Sequence, residues 1–441
     1  MYTTKQAAEI LDVSPRRVTA LLKNGSIKGE KRSGVWFAEE SSIAKRARTT
    51  SKTGGRPSFG SARSEHKFIL HNREFPILEV VYNEKKNSFV KLGEIIDEER
   101  MPIGLASRRT GVKIWDFSGW WAGRGIPKKR VNLDRILMEA GVYVPEELIY
   151  RNLGLSLSDQ YWICPVNSGL KWEEINFFSN DFESIAYQEG KISGAHPNNT
   201  SEGNLEKFWK VAGNNNRRLY KCGTGLNQEP FNEVVATALY KRLLEDNDFV
   251  KYDLAEVDNR IYSVCDNFLS DDEEYVPAYW VERLYVKKNH ESTYTHYVNC
   301  CEKLGCEKVP EQLSKMIVCD DILANTDRHF RNFGIIRNVH TLGCRPAPIF
   351  DSGNSLWFNV SDSDLKTMQP DYKSKQFYES SAKQLLLVDD FSIIDESKLT
   401  GFAEEALSIL NKNCFISNRL VKYEKYLEER LDRIINIARF S

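Results

Sequence analysis

The sequence lacks long apolar runs and lacks a cysteine pattern typical of disulfide frameworks. No apolar stretch in its 441 residues approaches the roughly 20 residues of a membrane span, so we expect no membrane association. The opening residues 1–5 are not those of a signal peptide, which predicts a cytoplasmic protein. The nine cysteines are odd in number and scattered from Cys164 to Cys414, as expected for reduced thiols.

The cysteines also give little support for a zinc site. Their tightest group is His296, Cys300, Cys301 and Cys306, and no second CxxC pair accompanies it. Structural zinc normally takes four Cys or His ligands in such paired spacings. This pattern therefore favours buried structural thiols over a metal centre.

The charge is unevenly distributed, although its sum is only −1. Residues 1–63 carry 13 Lys and Arg against 5 Asp and Glu, a net of +8, which leaves −9 for residues 64–441. The 41% hydrophobic content is that of an ordinary globular protein, and 441 residues are enough for two to four domains. A small basic segment before an acidic body suggests that the segment meets a polyanion.

The basic segment has the pattern of two short helices and a hairpin. We predict helices at 5–11 and 15–23, the second capped by Ser14 with Pro15 at its first position, and two small strands within 26–37. This stretch resembles the excisionase and MerR-type winged helix-turn-helix family, which implies binding to double-stranded DNA. The polar residues of the second helix predicted to contact DNA are Arg16, Arg17, Thr19 and Lys23.

Residues 46–63 and 64–190 show no chemistry of their own. The first stretch is basic and glycine-containing, so we interpret it as a flexible linker attracted to phosphate. The second stretch is rich in tryptophan, which usually fills cores. We expect an accessory subdomain there, with strands at 67–83 and 89–97 and a helix over 129–152.

From residue 199 onward the pattern suits a nucleotide site. A turn of small residues precedes strands predicted at 207–212 and 217–223, and Lys221 stands in the second strand. A helix predicted at 228–246 carries Glu229 and Glu233 one turn apart, so either could reach Lys221. A strand lysine paired with a helix glutamate holds ATP phosphates in protein kinases, although a surface ion pair fits this piece alone equally well.

The stretch NTDRHFRNFG at 325–334 adds a polar loop after a helix predicted at 310–324. Asp327 and Asn332 have the spacing of a kinase proton acceptor and a magnesium ligand. Asp351 follows a predicted strand at 347–350, where a second magnesium ligand would stand. The order of these motifs predicts phosphoryl transfer from Mg-ATP.

Residues 64–441 resemble the HipA family of serine/threonine kinases, including its CtkA-like branch. The matching segments are LYK at 219–221, NEVVATALYKRL at 232–243, NTDRHFRNFG at 325–334 and APIFDSG at 347–353. The resemblance implies ATP and Mg²⁺ as cofactors, a protein substrate of unknown identity, and a regulatory serine that modifies itself.

The resemblance also implies roles for individual residues. Asp327 would be the catalytic base, Asn332 and Asp351 would bind Mg²⁺, Lys221 would bind ATP and Glu233 would orient Lys221. The nucleotide-binding residues would be Ser201 and Gly203 in the phosphate loop, Lys221, and Cys265, Asp266 and Phe268 in the adenine hinge. Ser201 would be the autophosphorylated serine. Two departures from the family pattern are Arg331, where many members have lysine, and Glu202, whose charge would oppose phosphate.

The predicted fold class is α+β, a small winged helix-turn-helix domain followed by a bilobal, HipA-like kinase fold with an accessory subdomain. Its predicted parts are 1–45 (DNA binding), 46–63 (linker), 64–190 (accessory), 191–268 (kinase N-lobe) and 269–441 (kinase C-lobe). Three functions stay open: a protein kinase in a toxin–antitoxin or growth-control system, a DNA-binding regulator that only senses nucleotide, and a lipid or small-molecule kinase. A homodimer also stays open.

Overall fold

A computed structural model describes most of the chain. The described residues are 1–11, 13–32, 35–44, 65–105, 112–131, 133–182, 196–200, 203–366 and 372–440. They fall into two compact units, one within residues 1–63 and one made of the described residues from 65 onward. The predicted linker 46–63 and Ser201 lie outside the described residues. Within those ranges, no helix combines the length and apolarity that a membrane crossing requires.

The first unit has two helices and a three-stranded antiparallel sheet in the order β1-β3-β2. Its elements are β1 (Tyr2–Thr3), α1 (Thr4–Leu11), α2 (Pro15–Lys23), β2 (Gly29–Arg32) and β3 (Val35–Ala38). Helix α2 begins where the Ser14 hydroxyl accepts a hydrogen bond from the backbone N–H of Arg17 (3.2 Å), with Pro15 at its first position. Val18, Leu21 and Leu22 of α2 are buried in the small apolar core of this unit. Both helices lie within one residue of the predicted bounds.

The second unit opens with a four-stranded antiparallel sheet in the order β6-β5-β4-β7. Its elements are β4 (Glu65–Asn72), β5 (Phe75–Asn83), β6 (Ser88–Ile95), α3 (Ile114–Gly123), α4 (Leu133–Glu139), α5 (Pro145–Arg151), β7 (Tyr161–Pro165) and α6 (Trp172–Ile175). The single helix predicted over 129–152 is wrong, because the chain breaks at Gly141, whose φ of +65° ends the first helix. The predicted strand 67–83 is likewise a hairpin that turns at Arg73, which also has a positive φ.

A second antiparallel sheet, in the order β10-β11-β9-β8, carries the predicted nucleotide-binding strands. Its elements, after a 3₁₀ turn at Pro197–Thr200, are β8 (Lys207–Val211), β9 (Arg217–Lys221), α7 (Glu229–Leu243), β10 (Asp253–Val257) and β11 (Arg260–Asp266). Helix α7 has buried residues almost throughout, including the charged Glu229 and Glu233. A buried carboxylate is stable only with a cation or hydrogen-bond donors beside it, so the partners of these two glutamates mark the candidate site.

The remaining elements are mostly helical around a three-stranded sheet in the order β12-β13-β14. They are β12 (Glu273–Pro277), α8 (Ala278–Val281), α9 (Thr293–Lys303), α10 (Val309–Leu323), β13 (Gly334–Asn338), β14 (Cys344–Pro346), α11 (Ser381–Leu385), α12 (Glu396–Leu399), α13 (Phe402–Leu410) and α14 (Leu420–Phe440). The strand predicted at 347–350 is not formed. Only Ile349 makes a bridge, in parallel with Phe249, so Asp351 follows an extended segment instead of a sheet strand.

The apolar cores join parts that are distant in sequence. Helix α7 buries Phe231, Val235 and Leu239 in the same core as helices α10, α13 and α14. The tryptophan-rich core of residues 68–182 also takes in Leu269, Ile336 and Ala347.

A buried polar cluster reinforces the second of these connections. Glu274 of β12 pairs with Arg337 of β13 (2.6 Å), and Asn72 of β4 donates a hydrogen bond to Glu274 Oε2 (2.8 Å). The Tyr161 hydroxyl of β7 is bonded to Arg337 as well. These hydrogen bonds join the accessory strands to β12 and β13, and β13 directly follows the polar loop at 325–334.

Candidate active site

Lys221 lies at the end of β9 and is buried, with 6% of its surface exposed. Its Nζ donates a hydrogen bond to Glu233 Oε1 of helix α7 (2.9 Å) and another to Asp351 Oδ1. Burial opposes the charge of the amine, but the two carboxylates outweigh it, and the pKa of Lys221 is raised above its usual value. The ammonium group is therefore retained at neutral pH.

Of the two glutamates that could have reached Lys221, the structure places Glu233 there. Glu229 instead accepts a hydrogen bond from the backbone N–H of Thr224 (3.0 Å) at the turn after β9. Glu233 also uses its second oxygen, Oε2, which accepts from the backbone N–H of Ser352 (2.9 Å). One buried carboxylate thus joins the strand lysine to the loop that bears Asp351.

Asp351 is held in an uncommon backbone conformation, with φ at +57°. Its side chain is about one-third exposed (36%) and lines the same cavity as Lys221. Although burial works against ionisation, Lys221 and Lys207 favour it, and the pKa of Asp351 lies well below its usual range. Asp351 is therefore a carboxylate throughout the neutral range.

Helix α7 fixes the rest of this loop through neutral hydrogen bonds. Asn232 Nδ2 donates to the carbonyl oxygens of Gly353 and Ser355, both at 2.8 Å. The hydroxyls of Tyr240 and Ser352 are 2.7 Å apart. The backbone around Asp351 is consequently positioned by one rigid helix.

Arg328, the residue after Asp327, is fully buried. Its guanidinium donates to both oxygens of Asp320 (2.9 and 3.0 Å), to the carbonyl oxygen of Asn332 (3.0 Å), to that of Phe350 and to Ser352 Oγ (2.8 Å). Arginine suits this place because its planar fork presents several fixed donors at once. Arg328 thereby holds the 325–334 loop and the Asp351 loop in a fixed relation.

Asp327 and Asn332 are adjacent in the structure. Asn332 Nδ2 donates to the backbone carbonyl oxygen of Asp327 (3.0 Å), and both residues line the cavity. The Asp327 carboxylate accepts from Asn354 Nδ2 (2.7 Å) through Oδ2 and from Lys375 Nζ through Oδ1. His329 Nδ1 accepts from the backbone N–H of Arg331 (3.3 Å), which braces the loop.

These residues border a cavity of about 590 Å³, a size typical of small-molecule sites. Its apolar wall includes Tyr252, Cys265, Phe268 and Phe350, and the rings of Phe268 and Phe350 stack with centroids 5.3 Å apart. Such a wall suits a flat heterocycle such as adenine. Burial raises the pKa of the Cys265 thiol to about 12, so this cysteine acts as a small apolar residue.

The other predicted hinge residue, Asp266, has a second role in the structure. Its carboxylate pairs with Arg218 across β11 and β9 (2.7 Å), and its side chain is 54% exposed. It also borders the cavity. Asp266 is therefore placed at the rim rather than in the apolar wall.

Gly203 is the described part of the predicted phosphate loop. Its φ is +104°, and a Cβ atom there would lie 2.5 Å from Lys207 Nζ. Its carbonyl oxygen accepts from Arg130 Nε of the accessory region (2.8 Å). The positive φ favours glycine at this point, beside a lysine that lines the cavity.

The oxygen atoms at Asn332 and Asp351 fit magnesium. Asn332 uses its amide nitrogen on Asp327, so its carbonyl oxygen is the atom suited to a cation, and Asp351 offers a partly exposed carboxylate. Mg²⁺ takes few protein ligands because it keeps water and binds substrate phosphates. The described residues contain no set of three or more His, Cys, Asp or Glu able to hold a metal alone.

In the group weighed as a zinc site, His296 Nε2 contacts Cys300 Sγ (3.6 Å), and the histidine also has partners outside the group. His296 Nδ1 contacts Glu291 Oε2 (3.0 Å) and its Nε2 contacts the carbonyl oxygen of Glu282 (2.8 Å). Cys300, Cys301 and Cys306 are buried free thiols.

The predicted DNA-binding residues lie on α2 in the first unit. Arg16 and Lys23 are exposed, whereas Arg17 and Thr19 are half-buried. The Thr19 hydroxyl donates to the carbonyl oxygen of Pro15 (3.0 Å), within its own helix. A base contact by Thr19 would therefore use its methyl group or a hydroxyl lone pair.

Sequence reasoning missed several residues of this site, among them Arg328, Tyr252, Phe350, Asp320, Asn354 and Lys375. Asp320 and Asp321 form an acidic pair within the apolar run that ends helix α10, and two adjacent acids in such a run were a usable signal of a buried polar network. Asn354 follows Asp351 within the same turn. Nothing in the sequence pointed to Lys375, which is 48 residues from Asp327.

No family model and no curated protein matches this chain. Among solved structures, it is similar to the proinflammatory kinase CtkA of Helicobacter pylori, with 19% identity, a TM-score of 0.38, and coverage of 52% of this chain and 90% of that one. It is also similar to HipA of Shewanella oneidensis MR-1, solved with HipB and operator DNA, with 14% identity, a TM-score of 0.47, and coverage of 84% and 99%. At these identities the similarity concerns the fold alone, and residue roles depend on the contacts described above.

Proposed function

We propose that this chain is a Mg-ATP-dependent serine/threonine protein kinase of the HipA type, fused to a DNA-binding helix-turn-helix. One observation carries the proposal. The buried Lys221 ammonium lies between the carboxylates of Glu233 and Asp351, on a cavity that Asp327 and Asn332 also line. A purely structural ion pair would not need a proton acceptor and a cation-suited amide on the same cavity wall.

The residues divide the reaction among them. Lys221 binds the phosphates of ATP, and the apolar wall of Cys265, Phe268 and Phe350 receives the adenine ring. Mg²⁺, held by Asn332 and Asp351, would neutralise charge on the phosphates when bound. Asp327 accepts the proton of the substrate hydroxyl as its oxygen bonds to the terminal phosphorus and the bond to the ADP oxygen breaks.

The first unit supports a second activity, binding to duplex DNA. Helix α2 presents Arg16 and Lys23 to solvent, and the segment 1–63 has a net charge of +8. Phosphate contacts by such residues provide affinity, and contacts to base edges provide sequence preference. A fused DNA-binding unit would let one chain act as enzyme and as transcriptional regulator, as in a toxin–antitoxin or growth-control system.

Comparing the wild type with two variants, Asp327→Asn and Asp351→Ala, tests the kinase proposal. We expect Asp327→Asn to lower phosphate transfer by roughly 10²–10⁴-fold, because the variant keeps its shape but loses the base. ATP binding should largely survive in this variant. Asp351→Ala should abolish transfer.

The measurement is a phosphoproteomic comparison of cells expressing wild type and Asp327→Asn. Phosphate on serine or threonine that depends on Asp327 supports the proposal. A wild type that binds ATP and transfers nothing would favour a nucleotide-sensing regulator instead. Phosphate recovered only in lipids or small molecules would favour the third function.

A further inference from the structure

Lys375 reaches the candidate catalytic base from a distant part of the chain. Its Nζ donates a hydrogen bond to Asp327 Oδ1, and Asn354 Nδ2 occupies Oδ2 of the same carboxylate (2.7 Å). The Lys375 side chain is 56% exposed, whereas that of Asp327 is 22% exposed and lines the cavity. The half-exposed amine thus contacts the cavity-lining carboxylate that would receive the substrate proton.

The backbone on both sides of Lys375 is anchored. Ser374 and Gln376 are buried, and Ser374 Oγ donates to Gln376 Oε1 (2.9 Å). Gln384 Nε2 donates to Ser374 Oγ (2.9 Å) and ties the segment to helix α11. Lys375 therefore projects from a fixed support.

That support shares one buried carboxylate with the 325–334 loop. Gln376 Nε2 donates to Asp320 Oδ2 (2.6 Å), the oxygen that also accepts from Arg328 Nε. Asp320 Oδ1 accepts from Asn325 Nδ2 (2.8 Å), and the Asp320 carbonyl oxygen accepts from the Tyr372 hydroxyl (2.8 Å). The positions of Asp327 and Lys375 are thus set by the same residue of helix α10.

Stability alone gives no reason for this arrangement. An ion pair involving a half-exposed lysine typically contributes about 0–1 kcal/mol. An ammonium group has three N–H donors, so binding Asp327 leaves donors for a second anion. Within the 325–334 loop, Arg331 has its guanidinium 4.3 Å from the ring centroid of Tyr279. The lysine that contacts the Asp327 carboxylate is therefore Lys375, which comes from outside this loop.

We propose that Lys375 is a catalytic residue that contacts the phosphoryl group as it passes from ATP to the substrate hydroxyl. The inference rests on the proposed kinase function and adds a specific residue to it. The substrate oxygen bonds to phosphorus, its proton goes to Asp327, and the phosphorus–oxygen bond to ADP breaks. Lys375 stabilises negative charge on the transferring group in this state and neither gains nor loses a proton.

This role predicts a particular kinetic effect. Removing one preorganised donor to a transition-state charge typically lowers kcat by about 10²–10³-fold. Because Lys375 binds the transferring group and not the adenine or inner phosphates, the KM for ATP should change little. An inhibitory cap on the base would have the opposite effect, since removing it would raise kcat.

The test compares Lys375→Met, Lys375→Arg and the control Lys373→Met in the full-length protein. Lys373 is an exposed lysine two residues away in the same segment. We expect kcat to fall about 10²–10³-fold in Lys375→Met and to stay at the wild-type value in Lys373→Met. The kcat of Lys375→Arg should lie between these two, because arginine keeps the positive charge.

A binding measurement provides a readout independent of turnover. Mg-ADP with aluminium fluoride mimics the transferring phosphoryl group, whereas Mg-ADP alone does not. Calorimetry should show Lys375→Met weakening the aluminium fluoride complex by at least about tenfold, with Mg-ADP affinity unchanged. Equal weakening of both ligands would point to a distorted site and overturn the proposal.

The remaining outcomes separate this inference from the proposed function. An active wild type with Lys375→Met equally fast or faster would overturn the role of Lys375 and leave the kinase assignment standing. A wild type that transfers no phosphate to any acceptor would overturn both.

Discussion

Replacing Arg328 by lysine should strongly destabilise the second unit. Arg328 makes five hydrogen bonds to four residues, and lysine has only three donors on one nitrogen. At least two charge-assisted bonds are lost, each worth about 1.5–3 kcal/mol, so the free energy of unfolding should fall by at least about 3 kcal/mol. For a unit of this size the entropy of unfolding is roughly 0.8 kcal/mol per kelvin, which converts that loss to a fall in Tm of about 4 °C or more.

Thermal unfolding of the full-length protein, followed by calorimetry, measures this effect. Arg345→Lys is the matched control, because the Arg345 side chain is about half exposed and its ion pair with Glu273 is a surface pair of the kind worth about 0–1 kcal/mol. We expect the control to melt within about 1 °C of the wild type. If Arg328→Lys also melted within that range, Arg328 would not hold the two loops together as described.

Two further predictions concern DNA and cysteine reactivity. The full-length chain should bind duplex DNA with an affinity that falls steeply as salt rises. The double variant Arg16→Ala, Arg17→Ala should lose more sequence preference than the double variant Lys45→Ala, Arg46→Ala. A series of gel shifts over salt and sequence measures both effects, and equal binding of every duplex by the wild type and by the Arg16, Arg17 variant would contradict the prediction. Iodoacetamide at pH 8 should modify the exposed Cys414 but spare Cys265, because burial raises the pKa of Cys265 to about 12 and leaves about one thiol in ten thousand ionised. Peptide mass spectrometry measures both sites, and equal modification would show that the strand bearing Cys265 is open to solvent.

Sequence patterns correctly predicted those helices and strands that have capping residues at their ends or a clear apolar pattern. Helix α2 was predicted correctly because Ser14 and Pro15 mark its start and Asn24 follows its end. Strand β9 and helix α7 were predicted because an apolar pattern surrounds Lys221 and Glu233, and the structure brings these two side chains together. The role of each site residue in catalysis stays a prediction.

Other features depend on contacts that the sequence does not display. The segment 347–350 has the composition of a strand, but it lies beside Phe249 with a single bridge, so tertiary packing overrides its propensity. The glycine at 141 is a local signal for a helix end, but the helical spacing of apolar residues on both sides of it favoured one continuous helix. The approach of Lys375 to Asp327 depends on Gln376 binding Asp320, which no spacing rule anticipates.

The tie between Glu274, Arg337 and the accessory strands limits how the chain can be dissected. A fragment that began at residue 196 would retain Glu274 and Arg337 but lose Asn72 and Tyr161, and it would bare Leu269, Ile336 and Ala347 to water. Exposed apolar surface and a half-satisfied ion pair both favour aggregation over folding. A soluble fragment that contains the candidate site should therefore start at or before Glu65, and its solubility will depend on residues outside that site.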